Sequence, residues 1–211
     1  MTTVKTFTFN PYQTNCYVCH SSGEAVIVDA SCMDEAEEEL LVEYIRERNL
    51  TVRHLLLTHA HFDHIFGCAS LSERFNLTWS AHKGSLPWLK NAALQTGVFG
   101  APRVRPFMPG IWLQEGDEVR FGTSTWSVLE TPGHADGSIS FADGANAFVL
   151  VGDVLFQHSI GRVDLPGGSL PVIMSTIFQK LLTMPDNTLI YSGHGPATTV
   201  GHERAFNPYL Q

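Results

Sequence analysis

Residues that can bind metal ions follow four separate strand-like runs of this chain. The apolar run Val52–Leu57 leads into the segment His59-x-His61-x-Asp63-His64. Three further runs end in a glycine followed by one such residue: Gly133-His134, Gly152-Asp153 and Gly193-His194. Layered α/β folds place their chemistry in loops of this kind, because rigid elements hold both ends of the loop. The pattern therefore predicts an α/β fold whose strand ends converge on a metal centre.

The order of the predicted elements occurs twice along the chain, as strands, helix, strands, helix. Period-two alternation and short apolar runs predict strands at Val4–Phe9, Asn15–His20, Glu24–Asp29, Val52–Leu57, Leu77–Ala81, Glu118–Phe121, Trp126–Glu130, Ser138–Phe141, Ala147–Val151 and Thr188–Ser192. Amphipathic spacing predicts helices at Asp34–Arg48, Ile65–Phe75, Ser85–Leu94 and Leu170–Leu182, and the stretch Gly97–Gly110 is predicted to be a loop. Two mixed β-sheets packed together with helices on both outer faces, a four-layer αββα sandwich, fit this order.

Composition narrows the class of protein. Hydrophobic residues make up 44% of the chain and charged residues 16%, which is typical of a globular protein, and we expect residues 1–211 to form a single domain. The formal net charge of −8 and the lack of a Lys and Arg block argue against nucleic acid as a partner. No apolar stretch is long enough for a membrane span or a signal peptide, so we expect a cytoplasmic protein without a membrane partner.

The four cysteines do not suggest a disulfide framework in a chain of this length. Cys16 and Cys19 form a CxxC pair, which can be a redox motif or half of a zinc site. We favour a structural interpretation, because the pair lies in a predicted strand, where positions three apart face opposite sides. No second CxxC is present to complete a zinc site.

The spacing within the first cluster suits two ions. His59 and His61 are two residues apart, so in an extended segment they project to the same side and can hold one ion. Asp63 and His64 are predicted to begin the next helix and to serve a second ion. Each ion needs about four to six ligands, so further ligands must come from the other strand ends. The glycines before them allow the backbone to turn sharply and to approach a bound group closely.

Together these motifs resemble the metallo-β-lactamase superfamily along nearly the whole chain. The resemblance implies that His59, His61 and His134 hold a first metal, that Asp63, His64 and His194 hold a second, and that Asp153 bridges the two. True β-lactamases of the superfamily most often lack a histidine at the position of His64 or have a cysteine at that of Asp153. A β-lactam substrate is therefore disfavoured by the resemblance.

Within the superfamily the chain resembles the glyoxalase II group, through Thr131-Pro-Gly-His134, Gly152-Asp153-Val-Leu-Phe156, Gly161-Arg162 and Ser192-Gly-His-Gly195. Two features depart from the group: Ala135-Asp136 replaces the usual Thr-Pro, and the helical C-terminal domain of glyoxalase II proper has no counterpart. The chain is most similar to compact bacterial proteins of the group. This resemblance implies a binuclear hydrolase that cleaves hydroxyacylglutathione thioesters such as S-lactoylglutathione, using a hydroxide shared by the two metals.

Specific roles follow from the same resemblance. Asp63 and Asp153 are the implied catalytic residues, and Arg162 is implied to bind a carboxylate of the substrate; a surface salt bridge is the alternative for Arg162. Five imidazoles and two carboxylates suit zinc, iron and manganese alike, and we take Zn²⁺ as the default. The other histidines, His20, His54, His82, His158 and His202, are predicted to be satisfied core residues, and Trp88, Trp112 and Trp126 to pack in the core.

Two other functions remain open at this stage. The first is a persulfide dioxygenase, a related group that binds a single iron through residues matching His59, His134 and Asp153. The second is a non-catalytic metal-binding module, which usually has lost one or more ligands; this chain has lost none. An RNA phosphodiesterase would share the site, but the acidic charge balance counts against it. The sequence does not indicate the oligomeric state.

Overall fold

Two mixed β-sheets form the centre of the computed structural model, which describes residues 1–211. The strands of the first sheet, in spatial order, are β1 (Thr3–Phe9), β2 (Thr14–Ser21), β3 (Glu24–Val28), β4 (Thr51–Leu56), β5 (Trp79–His82) and β6 (Ile111–Leu113). The first three strands are antiparallel, and β3 to β6 are parallel. The parallel strands therefore bring the loops that follow them to one edge of the sheet.

The second sheet is assembled from the other half of the chain. Its strands are β7 (Glu118–Phe121), β8 (Ser124–Glu130), β9 (Ile139–Asp143), β10 (Phe148–Gly152), β13 (Leu189–Ser192) and β14 (Thr198–Thr199), in the order β14-β13-β10-β9-β8-β7. Only the pair β10 and β13 is parallel. A short hairpin, β11 (Leu155–Phe156) and β12 (Ser159–Ile160), lies outside both sheets.

Helices cover the outer faces of the two sheets. They are α1 (Glu35–Glu47), α2 (Cys68–Phe75), α3 (Leu86–Lys90), α4 (Ala92–Phe99), α5 (Leu170–Thr176), which continues as a π-helix over Ile177–Leu181, and α6 (Val200–Phe206). Short 3₁₀ turns lie at Phe62–His64, Lys83–Ser85 and Pro208–Leu210. No helix is both long and apolar enough to cross a membrane.

Three separate apolar cores show the layering. Alternate residues of β2 illustrate it: Cys16 and Val18 pack with Leu41 of α1, whereas Tyr17 and Cys19 pack against residues of the second sheet. The third core lies between the second sheet and its helices α5 and α6. Three cores require four layers, so the predicted αββα sandwich is confirmed. The division of Cys16 and Cys19 between two cores also confirms the structural interpretation of the CxxC pair.

Several predicted boundaries were wrong. Asp63 and His64 do not begin the following helix but lie in a separate 3₁₀ turn, because the backbone N–H of Gly67 bonds to the carbonyl of Ala30 instead of continuing the turn. The predicted loop from Gly97 begins within α4. Among the residues predicted to be core, His158 is exposed and Trp112 is 39% exposed, while Trp126 is fully buried as predicted.

Candidate metal centre

The structure brings all seven predicted ligands together at neighbouring strand ends. His59 and His61 lie after β4, His134 after β8, Asp153 after β10 and His194 after β13, and the 3₁₀ turn adds the remaining two residues, Asp63 and His64. Six of the seven are buried, and His194 is partly exposed. Residues up to 135 positions apart along the chain thus share one site, since the sheets hold their loops at a common edge.

The first group of ligands consists of His59, His61 and His134. One ligand atom from each lies within 4.8 Å of the others. Nδ1 of His61 and Nε2 of His134 are 2.9 Å apart. The three rings meet nearly at right angles, with centroids 4.6 to 5.0 Å apart. Three imidazoles converging in this way match the ligand set of a four-coordinate ion with one open position.

The second group consists of Asp63, His64 and His194, whose ligand atoms also lie within 4.8 Å of one another. Oδ2 of Asp63 is 3.5 Å from Nε2 of His64 and 3.3 Å from Nε2 of His194. The carboxylate lies between the two rings. This group offers one oxygen and two nitrogens to a second ion.

Asp153 reaches both groups. Its Oδ2 is 3.6 Å from Nε2 of His134 in the first group and 3.4 Å from Nε2 of His194 in the second, and its Oδ1 is 3.4 Å from Nε2 of His64. A carboxylate in this position can contribute to two coordination spheres at once. This position suits the bridging role that the resemblance implies.

Unsatisfied polar atoms test whether metal ions fit this site. Throughout the chain, the buried side-chain nitrogen and oxygen atoms without a hydrogen-bond partner all belong to this cluster: Nε2 of His59, His61 and His64, and Oδ1 of Asp153. A buried polar atom without a partner costs about 1–3 kcal/mol, so four in one place call for an explanation. Bound cations would give most of these atoms a partner. The donor set therefore fits two divalent metal ions.

Hydrogen bonds behind the ligands set the histidine tautomers. The hydroxyl of Thr58 donates to Oδ2 of Asp29 at 2.7 Å, so its oxygen is left to accept from Nδ1 of His59 at 3.0 Å. Nδ1 of His64 donates to the same Asp29 oxygen at 3.0 Å. In its neutral form each ring therefore carries its proton on Nδ1 and presents the Nε2 lone pair to a metal.

Three further candidate ligands are supported in the same manner. Nδ1 of His134 donates to the carbonyl of Arg162 at 2.8 Å, and Nδ1 of His194 donates to the carbonyl of Tyr12 at 3.1 Å. Oδ2 of Asp63 accepts a 2.9 Å hydrogen bond from the hydroxyl of Thr14. The first hairpin of the chain thus holds two ligands of the second group.

Sequence reasoning missed the supporting residues Asp29 and Thr14. Asp29 directly follows β3, the strand that pairs in parallel with β4, so the strand-end signal that found His59 also applied to it. It lacks the feature that marked His134, Asp153 and His194, because valine and not glycine precedes it. Nothing in the sequence marks Thr14 as a supporting residue, because threonine is common in strands.

The electrostatics of the two groups differ. Burial lowers the pKa of His59 well below its usual value and the pKa of His61 to about 3, so both are neutral at physiological pH. Burial alone would also lower the pKa of His64 and His194. The nearby carboxylates of Asp63 and Asp153 have the opposite and larger effect. The pKa of His64 is raised well above its usual value, and that of His194 is raised to about 10. Without metal, the second group therefore holds protons where a cation would bind.

Close packing around the ligands explains the glycines that precede them. A Cβ on Gly193 would collide with Oδ1 of Asp153 and Cε1 of His64. Gly152 has a φ of +53°, and a Cβ there would collide with the side chain of Thr58. Only a residue without a side chain leaves the ligands in place.

A cavity of about 540 Å³ opens over the metal centre. Trp88 on α3 and Leu94 and Val98 on α4 form an apolar wall. Arg162 lines the cavity too, and its guanidinium makes two hydrogen bonds, of 2.8 and 2.7 Å, to the carboxylate of the exposed Asp164. The cavity therefore combines a metal centre, an apolar wall and one cationic side chain.

The fold and this site define a class of metal-dependent hydrolases. The family model of the metallo-β-lactamase superfamily matches residues 9–194, and the chain belongs to that superfamily. The match begins in the first hairpin and ends at His194. The resemblance that was based on the seven ligands is thereby confirmed.

Individual relatives are similar over nearly their full lengths. The chain is 39% identical to the probable metallo-hydrolase YqgX of Bacillus subtilis, covering 95% of this chain and 93% of the relative. It is 34% identical to the hydroxyacylglutathione hydrolase GloC of Haemophilus influenzae, covering 94% and 93%. Among solved structures, the B3 metallo-β-lactamase BLEG-1 has a TM-score of 0.91 at 37% identity, covering 99% and 100% of the two chains. TTHA1623 in a di-iron-bound form has a TM-score of 0.86 at 36% identity, covering 98% and 100%.

Proposed function

We propose that this protein is a binuclear thioesterase that hydrolyses hydroxyacylglutathione thioesters such as S-lactoylglutathione. The observation that carries the proposal is the convergence of all seven ligands, with the carboxylate of Asp153 within 3.6 Å of both groups. The 34% identity to GloC supports this substrate class, as that relative is a hydroxyacylglutathione hydrolase. A module that only binds metal would not need a cavity of substrate size over its ligands, as this protein has.

In this proposal the chain's own residues position the reactants. Two bound divalent ions would lower the pKa of a water molecule towards about 7 and polarise the thioester carbonyl. Asp63 is assigned a second role besides ligation: its Oδ2 accepts from Thr14, while its Oδ1 accepts no hydrogen bond from the protein and can orient the attacking water. Asp153 holds the two ligand groups in a fixed relation. A thiolate leaves readily, so no general acid is required.

Arg162 is assigned to a carboxylate of the substrate. It lines the cavity, and its partner Asp164 is exposed. An exposed ion pair stabilises a protein little, so a substrate carboxylate can replace Asp164 without much loss. The apolar wall formed by Trp88, Leu94 and Val98 would contact the uncharged part of the thioester.

We propose Zn²⁺ as the resident ion. Tetrahedral sites of histidine and carboxylate are typical of zinc. Iron is the alternative, because the similar structure TTHA1623 holds two iron ions. Elemental analysis of protein purified without added metal separates the two.

The test is a steady-state assay of S-lactoylglutathione hydrolysis by the metal-loaded protein, with and without a chelator. The proposal expects turnover that the chelator abolishes and added Zn²⁺ restores. Fully metal-loaded protein that does not hydrolyse S-lactoylglutathione or other acyl thioesters would contradict it. Oxygen consumption with glutathione persulfide would instead support the dioxygenase alternative.

Hydrolysis of β-lactams is a second candidate function. It is favoured by the 37% identity to BLEG-1, a B3 metallo-β-lactamase. The family resemblance counts against it, because true β-lactamases of the superfamily most often lack a histidine at the position of His64 or have a cysteine at that of Asp153. Assaying the same preparation with a chromogenic cephalosporin decides between the two: a higher kcat/KM for the cephalosporin than for the thioester would reverse the order of the candidates.

A further inference from the structure

A second cluster of metal-ligand residues lies outside the metal centre. His158 is in the turn between β11 and β12, and His202 is in α6. Their Nε2 atoms are 2.6 Å apart, although the residues are 44 positions apart in the chain. Both rings are accessible to solvent, so they are not the satisfied core residues that the sequence predicts.

Glu203 lies behind the two imidazoles and is fully buried. Its Oε2 accepts from the backbone N–H of His158 at 2.8 Å and from Nδ2 of Asn207 at 2.9 Å. Its Oε1 accepts only from the hydroxyl of Thr198, at 2.5 Å, and lies 4.0 Å from Nε2 of His202. Since each carboxylate oxygen has two lone-pair sites, Oε2 is fully used and Oε1 retains one.

The charge of Glu203 has no strong partner in the protein. Neither Lys nor Arg forms an ion pair with it, and its one ion-pair contact is the 4.0 Å approach of His202. A buried carboxylate is costly unless an opposite charge compensates it. A cation bound between Glu203 and the two imidazoles would provide that charge.

The backbone of this cluster is already fixed in place. The N–H of His158 is held by Glu203, with His158 at a φ of +58°, and the N–H of His202 is held by the hydroxyl of Thr199 at 3.1 Å. Two nitrogens on one tetrahedral zinc ion are about 3.3 Å apart, given Zn–N bonds of about 2.0–2.1 Å. The exposed rings need to separate by less than about 1 Å to reach this spacing, which a small side-chain rotation provides.

We infer that His158, His202 and Glu203 form an additional site for a divalent transition ion of the Zn²⁺ class, independent of the metal centre. Two imidazoles and one carboxylate, with water in the fourth position, suit such an ion. The ion would tie α6 to the β11–β12 hairpin. Asp153 lies two positions before this hairpin begins, and Arg162 lies two positions after it ends. The bound ion would therefore secure the segment that carries Asp153 and Arg162.

The test counts bound Zn²⁺ in the complete protein. Wild type, His202→Gln and His158→Asn are loaded, dialysed against micromolar free Zn²⁺ and analysed for metal; asparagine is chosen because it tolerates the positive φ of residue 158. His54→Gln is the matched control, a partly exposed histidine whose Nε2 contacts only the carbonyl of Arg120, at 3.0 Å. We expect His202→Gln and His158→Asn each to bind one equivalent of Zn²⁺ fewer than wild type, and the control to bind the same number as wild type.

Thermal unfolding provides an independent measurement. Added Zn²⁺ is expected to raise the Tm of wild type and of His54→Gln more than that of His202→Gln or His158→Asn, because an ion that binds only the folded state stabilises it. The inference is overturned if all four proteins bind the same number of equivalents, or if the control loses as much as the other variants. The metal content is measured directly, without any substrate. The result is therefore independent of whether the protein is a thioesterase.

Discussion

The carboxylate of Asp29 accepts a hydrogen bond of 3.0 Å from Nδ1 of His64, behind the metal centre. The same oxygen, Oδ2, accepts from the hydroxyl of Thr58, which in turn accepts from His59. One buried carboxylate therefore orients a histidine in each of the two ligand groups. Asp29 is a positioning residue: its oxygens are occupied by these donors and by the backbone N–H of Thr58.

Replacing Asp29 tests this role. Asp29→Ala frees the tautomers of His64 and His59, and we expect metal affinity to fall about 10–100-fold, as is usual when such outer partners are removed. Activity should be lost at limiting metal and largely recovered at high metal. Equilibrium dialysis gives the affinity, and titration of activity with Zn²⁺ gives the recovery.

The control for this variant is Asp34→Ala. Asp34 caps α1 by accepting from the backbone N–H of Glu37 at 2.9 Å, so its loss costs about 1 kcal/mol of stability without involving the metal centre. Metal affinity in Asp34→Ala should match that of wild type. If both variants lose affinity to the same extent, the effect of Asp29 is general destabilisation and its positioning role is wrong.

Removal of Asp153 should abolish turnover. Its carboxylate lies within 3.6 Å of histidine nitrogens in both ligand groups. Asp153→Ala therefore removes a proposed ligand from each of the two ion sites. We expect loss of metal and a drop in kcat of at least about 10²-fold. Asp164→Ala, at an exposed carboxylate, is the control and should retain its metal. Wild-type rate with full metal content in Asp153→Ala would refute the bridging role.

The candidate ligands of this protein could be predicted from sequence, whereas the hydrogen bonds that support them could not. Residue type and strand-end placement were enough to identify His134 and His194 as candidates. The strands that precede them, β8 and β13, run in the same direction within the second sheet, so both end at the same edge. The contact between His64 and Asp29 depends on side-chain directions that no spacing encodes. The same is true of His158 and His202, which the sequence places in the core and the structure places on the surface, in contact with each other.

The fold could be predicted to a similar degree. Strands of four or more residues carry alternation that identifies them, and the αββα order followed from it. The strands β6, β11, β12 and β14 have only two or three residues, which is too short for a period to show. The helix α6 was missed because its seven residues include Gly201 and have little apolar periodicity.

Metal binding should release protons mainly from one of the two groups. Metal ligands must be unprotonated, yet without metal the pKa of His194 is raised to about 10 and that of His64 well above its usual value. Between pH 7 and 8 both are protonated, so an ion in the second group displaces both protons and its affinity rises by about two log units per pH unit. His59 and His61 are already neutral and contribute no such slope.

Calorimetric titration of the metal-free protein in buffers of different ionisation enthalpy measures this release directly. One bound ion should release about two more protons than the other. Equal proton release by the two ions would show that His64 and His194 are neutral before metal binds. His194→Gln should reduce the proton release of the second ion by about one.

Gly193 tests how closely the ligands are packed. The Cβ introduced by Gly193→Ala would overlap Oδ1 of Asp153 and must displace it or His64. A shift of about 1 Å in a catalytic group can cost about 10²-fold in rate, which is the loss of kcat that we expect. Gly144→Ala is the control, because nothing lies within 4 Å of its added Cβ. Normal kcat and metal content in Gly193→Ala would mean that the site tolerates movement of Asp153.

The assignment of Arg162 predicts a change in substrate affinity rather than in chemistry. Its guanidinium lies at the cavity, whereas its carbonyl, which accepts from Nδ1 of His134, is unchanged by truncation of the side chain. Arg162→Ala should therefore raise KM for S-lactoylglutathione about tenfold with little change in kcat, the size of one charge-assisted contact. A thioester without carboxylates should show no change, because it offers the guanidinium no anionic partner. Asp164→Ala should shift KM in the opposite direction, since it frees Arg162 from its ion pair. If kcat falls in Arg162→Ala while KM for both thioesters stays constant, the residue supports His134 and does not bind substrate.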